Sequence, residues 1–234
     1  MSRKALVVGI DNYASCPLHG CLNDAIEIAS LLQFNEDGSK NFDVFLRKDL
    51  QSKDILLMDI EKLYSGDDDI ALLYFSGHGI KTQISEFICT PDGNSRTPGV
   101  SLSIVLDIIS KSHCKNKIVI LDSYFSGGMG NSSLDSEIAP LSKGTTILTA
   151  CKNTECSVEI NGHGIFTTLL ISALKGGARD LCGNITSGSI YAYIDKALGP
   201  WEQRPVFKTN VQEFISLRNV KSPINVNDLR SFLC

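Results

Sequence analysis

Two stretches constrain this chain most, because each is an apolar strand that breaks into a serine–glycine turn. One is Ile70 to Gly79, IALLYFSGHG, and the other is Ile118 to Gly128, IVILDSYFSGG. Continuous apolar strands of this kind belong in the middle of a parallel sheet with both faces covered. Their ends present side chains at the carboxyl edge of the sheet, where open α/β folds place their sites. Side by side, the two units would bring His78 next to position 124, an arrangement in which a histidine serves a nucleophile. Position 124 holds a tyrosine.

The remaining periodicity is of the same class. Lys4 to Ile10 reads as a first core strand and Phe42 to Leu46 as a second. Lys117 to Leu121, Thr145 to Thr149 and Pro205 to Lys208 complete the series, with a short strand over Phe87 to Thr90 and a further segment over Glu213 to Leu217. Helical spacing joins Ala25, Ile28, Ala29 and Leu32, and then Leu56, Ile60, Leu63 and Tyr64 within Lys53 to Tyr64. It recurs in Leu102, Val105, Leu106 and Ile109, in Phe166, Leu169, Leu170 and Ala173 ahead of Gly176-Gly177, and in Ile190, Tyr191, Ile194, Ala197 and Leu198. Strands alternating with helices predict an α/β fold, a mainly parallel sheet covered on both faces with right-handed crossovers. Gly127 to Gly144, rich in Gly, Ser and Asn, is the expected mobile loop.

A chain of 234 residues with 43% hydrophobic residues and no long linker or internal repeat suits one domain. A net charge of −4 with dispersed Lys and Arg argues against a nucleic-acid surface. No apolar run reaches the roughly 18 residues of a membrane span, and Asp11 interrupts the N-terminal apolar run too early for a signal peptide. Cytoplasm is therefore the expected compartment, with the eight cysteines as reduced thiols. Cys16/Cys21 and Cys151/Cys156 share a CxxxxC spacing, a weak zinc signal better read as ordinary thiols. Asp67, Asp68 and Asp69 lack calcium-ligand spacing and read as a solvated acidic turn. No GxGxxG or GxxxxGK[ST] phosphate cradle occurs. Neither a cofactor nor a metal is expected.

Among single residues, His78 stands out because flanking glycines let the backbone approach a ligand closely. His19, His113 and His163 read as surface or packing residues. Asp122, just past four apolar residues, needs partners or a cationic ligand, since an unpaired buried charge is costly. Asp24, in a first helical turn, is on its own no more than a favourable charge for the helix dipole.

Taken together the motifs resemble the caspase-like cysteine peptidase family, in particular its metacaspase and bacterial caspase-homologue branch. KALVVGIDNY is similar to the family's first strand, and GCLNDA at Gly20 to Ala25 to the opening of its first helix. YFSGHG at Tyr74 to Gly79 resembles the histidine motif, ILDSYFSGG the nucleophile motif except for the nucleophile, and RPVFKTN at Arg204 to Asn210 the final strand. The resemblance covers almost the whole chain and implies a caspase-like six-stranded sheet. It divides the chain into a large-subunit-like part to about residue 126, an inter-subunit-like loop over 127–144, and a small-subunit-like part over 145–234.

By the same resemblance, His78 is the general base, position 124 the nucleophile, and the N–H groups of Gly79 and residue 124 bind the oxyanion. Cys21, Asp24, Ser76 and Asp122 line the substrate pocket, whose two carboxylates imply Arg or Lys at P1. The implied partners are a protein or peptide substrate and a regulatory protein, in a setting such as bacterial defence. Asp92 matches one calcium ligand of some metacaspases, but GVSLSIV after it lacks paired carboxylates.

Tyr124 departs from the pattern. Its hydroxyl has a reference pKa near 10 and lies much farther from its backbone than a thiol, so it neither attacks from the same place nor leaves the channel open. Ser123 and Ser126 are expected to point elsewhere, and Cys151 is a remote stand-in. The chain as written is expected to be proteolytically dead. Either it is a natural pseudoprotease that binds a partner or peptide, or Tyr124 replaces a cysteine in a chain inactivated for study. If an active form cuts itself within the loop, Lys143 is the basic site there.

Overall fold

The computed structural model describes residues 1–82, 85–123, 125–126, 141–150, 159–160, 163–198 and 205–224. Position 124, most of the 127–144 loop, Cys151 and Cys156 lie outside the described residues.

The described elements are β1 (Arg3–Gly9), α1 (Cys21–Gln33), β2 (Asp43–Lys48), α2 (Lys53–Tyr64), β3 (Ile70–Ser76), β4 (Gly79–Lys81), β5 (Glu86–Cys89) and β6 (Gly99–Ser101). They continue as α3 (Leu102–Lys111), β7 (Asn116–Asp122), β8 (Phe125–Ser126), β9 (Thr145–Thr149), β10 (Glu159–Ile160), β11 (His163–Gly164) and α4 (Ile165–Ser172). Then come β12 (Asn184–Thr186), α5 (Ser187–Leu198), β13 (Val206–Asn210) and β14 (Ser216–Asn219). The main sheet has six strands in the order β13-β9-β7-β3-β1-β2. All neighbours are parallel except the β13–β9 pair. The expected six-stranded, mainly parallel α/β architecture is the one found.

Strand alternation divides the core into two layers. Ala5, Val7, Leu72, Tyr74, Ile118 and Ile120 face a layer that includes Ala25, Ile28 and Leu32 of α1, Phe166 and Leu170 of α4, and Ile190 and Ile194 of α5. Leu6, Val8, Leu73, Phe75, Val119 and Leu121 face the other, with Leu56, Ile60 and Leu63 of α2 and Val105 and Ile109 of α3. The periodicity of α2 is matched residue for residue: its buried positions are Leu56, Ile60, Leu63 and Tyr64. On edge strand β2, Val44 and Leu46 turn inward while Phe45 is exposed, with the Lys62 ammonium 5.9 Å from its ring centroid.

The structure extends two expectations and corrects a third. The helix through Phe166 ends in a π-helical turn over Ala173–Gly177, closed by Gly176 at φ 121°. The strand expected over Phe87 to Thr90 is one of four in a second small sheet, ordered β6-β5-β4-β8. Three of those strands have two or three residues, too few for a period-2 pattern to register. The acidic turn includes Asp68, which is buried and paired with Lys4 at 2.8 Å rather than solvated. Among the described residues no helix is long and apolar enough to cross a membrane.

Candidate active site

Three parallel strands end level with one another. Gly9 of β1 is in register with Ser76 of β3, and Ser76 with Asp122 of β7. Because Val7, Tyr74 and Ile120 two residues earlier face the α1/α4 layer, Gly9, Ser76 and Asp122 face it too. Gly9 has no room for a side chain: a Cβ would lie 2.3 Å from the Cys21 carbonyl oxygen and 2.7 Å from the Ala25 Cβ. The first turn of α1 therefore rests on bare backbone, which brings Asp24 over the strand ends. Asp11 secures that turn by accepting the Cys21 and Leu22 N–H groups at 2.9 and 3.3 Å. Asp49, at φ 48°, accepts in turn the N–H groups of Asp11 and Asn12.

Asp24 is only 1% exposed. Its Oδ2 accepts the Ser76 hydroxyl at 3.0 Å and its Oδ1 lies 2.8 Å from His163 Nδ1. Asp122 Oδ2 accepts both the Thr167 N–H at 3.2 Å and the Thr167 hydroxyl at 2.5 Å. Thr167 Oγ1 lies 2.6 Å from the hydroxyl of the buried Tyr74, so a chain of donors runs from Tyr74 through Thr167 to the carboxylate. Burial first and Asp122 second lift the Asp24 carboxyl to about 6, against the bonds from His163, Ser76 and the Gly164 N–H. Burial lifts Asp122 as well, against the two Thr167 bonds. Two desolvated carboxyls, of which Asp122 also raises Asp24, make a space that favours a cation. Burial also pushes the Cys21 thiol far above its ordinary value, so Cys21 shapes the pocket as a neutral thiol.

His78 follows β3 and is held from two sides. Its Nε2 lies 2.7 Å from the Cys16 carbonyl oxygen. A carbonyl only accepts, so Nε2 carries the hydrogen and Nδ1 is the basic nitrogen of the neutral ring. The His78 backbone N–H donates to the Tyr13 hydroxyl at 3.1 Å, which donates to the Cys89 carbonyl at 3.2 Å. The Tyr13 ring also tilts against the imidazole with centroids 4.6 Å apart. A side chain at position 77 would collide with this support, since a Cβ on Gly77 would lie 2.6 Å from the Tyr13 hydroxyl. Gly79 stands opposite Phe125 in parallel pairing, so the histidine turn runs alongside the chain that carries position 124.

Cys21, Asp24, Ser76 and Asp122, separated by up to about a hundred residues in sequence, thus meet at one strand edge, with His78 and Gly79 just beyond it. Tyr124 lies outside the described residues. His163, expected to be a surface or packing residue, instead sits on the Asp24 carboxylate, and that expectation is corrected. Thr167, Tyr13 and the Cys16 carbonyl were not legible in the sequence. For His163 a signal existed: it lies between Gly162 and Gly164 just as His78 lies between Gly77 and Gly79. Asp92 accepts the Lys53 N–H at 3.1 Å and the Thr90 hydroxyl at 2.6 Å, a helix-capping arrangement. The Lys143–Gly144 peptide is bonded on both sides, by the Lys117 ammonium on the Lys143 carbonyl and the Asn210 carbonyl on the Gly144 N–H. Such pinning works against cleavage there.

No curated protein is similar enough to the chain to count as a match. The family model described as the caspase domain matches residues 2–214. With its mainly parallel six-stranded sheet and its histidine turn at the carboxyl edge, the chain belongs to the caspase family.

Proposed function

We propose that this chain is a caspase-like cysteine endopeptidase scaffold of the metacaspase type, built to take Arg or Lys at P1 of a protein or peptide. Cys21, Asp24, Ser76 and Asp122 line the P1 pocket. The observation that carries this is the pairing of Asp24 and Asp122 at one strand edge, each carboxyl raised by burial and Asp24 also by its neighbour. A pocket for an acidic P1 side chain would need cations there instead.

In the working reaction His78 Nδ1 takes the proton from a nucleophile at position 124 and later gives it to the leaving amine. The N–H groups of Gly79 and residue 124 bind the oxyanion, each donor worth roughly 3 kcal/mol in other hydrolases. The Cys16 carbonyl keeps the imidazole in the tautomer this requires. Tyr124 supplies no thiolate, so the chain as written binds without cutting. Non-catalytic recognition of a basic peptide or partner is the second reading, favoured by the tyrosine itself. Cytoplasmic residence, division into large- and small-subunit-like parts, and regulated bacterial defence complete the proposal.

The test is Tyr124→Cys assayed with Arg-, Lys- and Asp-terminated fluorogenic peptides. Cleavage after Arg and Lys is expected, at least about a thousandfold above the parent chain. Preferential cleavage after Asp would sink the P1 assignment, and inactivity on every peptide would favour the binding module.

A further inference from the structure

The carboxylates at this edge are reached from α4 as well as from α1. Helix α4 begins after Gly164, which supplies no side-chain cap. The N–H groups of a first helical turn find no partner within their own helix. That of Thr167 donates instead to Asp122 Oδ2 at 3.2 Å, and the Gly164 N–H lies 3.5 Å from Asp24 Oδ2. Asp122 thus caps α4 from 45 residues away in sequence, at the positive end of the helix.

Capping accounts for the N–H bond. It does not call for a second bond to the same oxygen, which the Thr167 hydroxyl supplies at 2.5 Å. Nor does it call for the Tyr74 hydroxyl, 2.6 Å from Thr167 Oγ1, with both residues completely buried. With a cation alongside, the Asp122 carboxylate is ionised and only accepts. The single Thr167 hydroxyl hydrogen then goes to Asp122, so Tyr74 donates its own to Thr167. Burial holds the Tyr74 phenol well above its ordinary pKa, which keeps that hydrogen in place. Two donors from one residue on one oxygen, the second of them held in turn, stop the carboxylate from rotating.

Resting on the basic-ligand pocket proposed above, we infer that Thr167, seated by Tyr74, is the positioning residue that makes this pocket prefer arginine to lysine. A guanidinium is planar and offers its N–H donors in a fixed fork, so it gains most from a carboxylate of fixed orientation. An ammonium is a point charge with rotating donors, and a carboxylate that turns holds it nearly as well. Loss of the Thr167 hydroxyl therefore harms arginine binding much more than lysine binding.

The experiment titrates Nα-acetyl-arginine amide and Nα-acetyl-lysine amide separately into the full chain by calorimetry, at one fixed pH. It compares the parent with Thr167→Val, Thr167→Ser and Tyr74→Phe. The parent should bind the arginine probe about tenfold more tightly than the lysine probe. Thr167→Val keeps the shape and the backbone bond but loses the hydroxyl. It should weaken arginine binding about tenfold or more and lysine binding about threefold or less, so that the ratio falls. Thr167→Ser, which restores the hydroxyl, should recover most of the ratio. Tyr74→Phe, which leaves Thr167 without its donor, should fall between the parent and Thr167→Val, and it decides the matter if Thr167→Val does not fold. A role confined to capping α4 would weaken both probes by the same factor. An unchanged ratio in the deciding variant, or a parent that binds lysine as tightly as arginine, overturns the role of Thr167 and leaves the pocket standing. Binding of neither probe by the parent removes the pocket assignment itself, and the role of Thr167 with it.

Discussion

The turn after β3 and the turn after β7 begin alike, with an apolar strand running into a polar residue on the α1/α4 face. They are held by different means. Ser76 and Asp122, still in the register of the main sheet, are fixed by helices packed on that sheet, through Asp24 in one case and Thr167 in the other. His78, two residues past the sheet, is fixed by the loop before α1, through Tyr13 and the Cys16 carbonyl. On the proposed reading, recognition would thus be tied to the core, and the proton-transfer group to a loop.

The comparison breaks if the carboxylates do not dominate recognition. In a Tyr124→Cys background, Asp122→Ala should cut kcat/KM for arginine peptides by about a hundredfold or more, since it strips a carboxylate from a desolvated cation. Steady-state kinetics that show an unchanged kcat/KM would remove Asp122 from the pocket.

Next in size is Gly9→Ala. A methyl group 2.3 Å from the Cys21 carbonyl must push α1 away from β1, at about 2–3 kcal/mol in urea unfolding. Weakened binding of basic peptides should accompany the loss, because Asp24 rides on the displaced turn.

Asp24→Asn separates stability from recognition. The folded Asp24 carboxyl lies at about 6 against an ordinary 3.8, so between these values the folded state holds the proton more tightly than the unfolded chain. Its contribution to stability is therefore present at low pH, falls as pH rises across that window, and stays unfavourable above it. Asparagine should stabilise the chain by about 1–2 kcal/mol at neutral pH and flatten that slope, while weakening cation binding. A variant less stable than the parent at neutral pH would show that the His163 and Ser76 bonds outweigh the burial.

The smallest expected effect is that of Tyr13→Phe. Removing the hydroxyl between the His78 N–H and the Cys89 carbonyl should cost about 1 kcal/mol. In the Tyr124→Cys background kcat should fall more than KM rises, since the loop positions the base and not the substrate. An effect on KM alone would place Tyr13 with the pocket instead.

Most of the architecture was legible before the structure. The buried face of α2 and the bounds of β9 follow from apolar periodicity, because burial on one side is what a helix or strand pattern records. His78 and Asp122 stood out in the sequence itself, Asp24 and Ser76 were reached through motif resemblance, and the structure brings Asp24, Ser76 and Asp122 to one edge with His78 just beyond it. The small sheet that seats His78 was only partly legible, since its strands of two and three residues leave no pattern. His163 escaped because its partner Asp24 is 139 residues away, a distance at which spacing carries no signal.

The sequence by itself determined the layered α/β sheet, the two turns at its carboxyl edge and the tyrosine at position 124. These are local matters of period, turn chemistry and residue type. Only the tertiary structure decided which groups meet at that edge. Parallel register aligned Gly9, Ser76 and Asp122, the bare backbone of Gly9 admitted α1 with Asp24, and a two-residue strand laid His163 on that carboxylate. Such meetings depend on register and close packing between distant segments, and no stretch of a single chain encodes them locally.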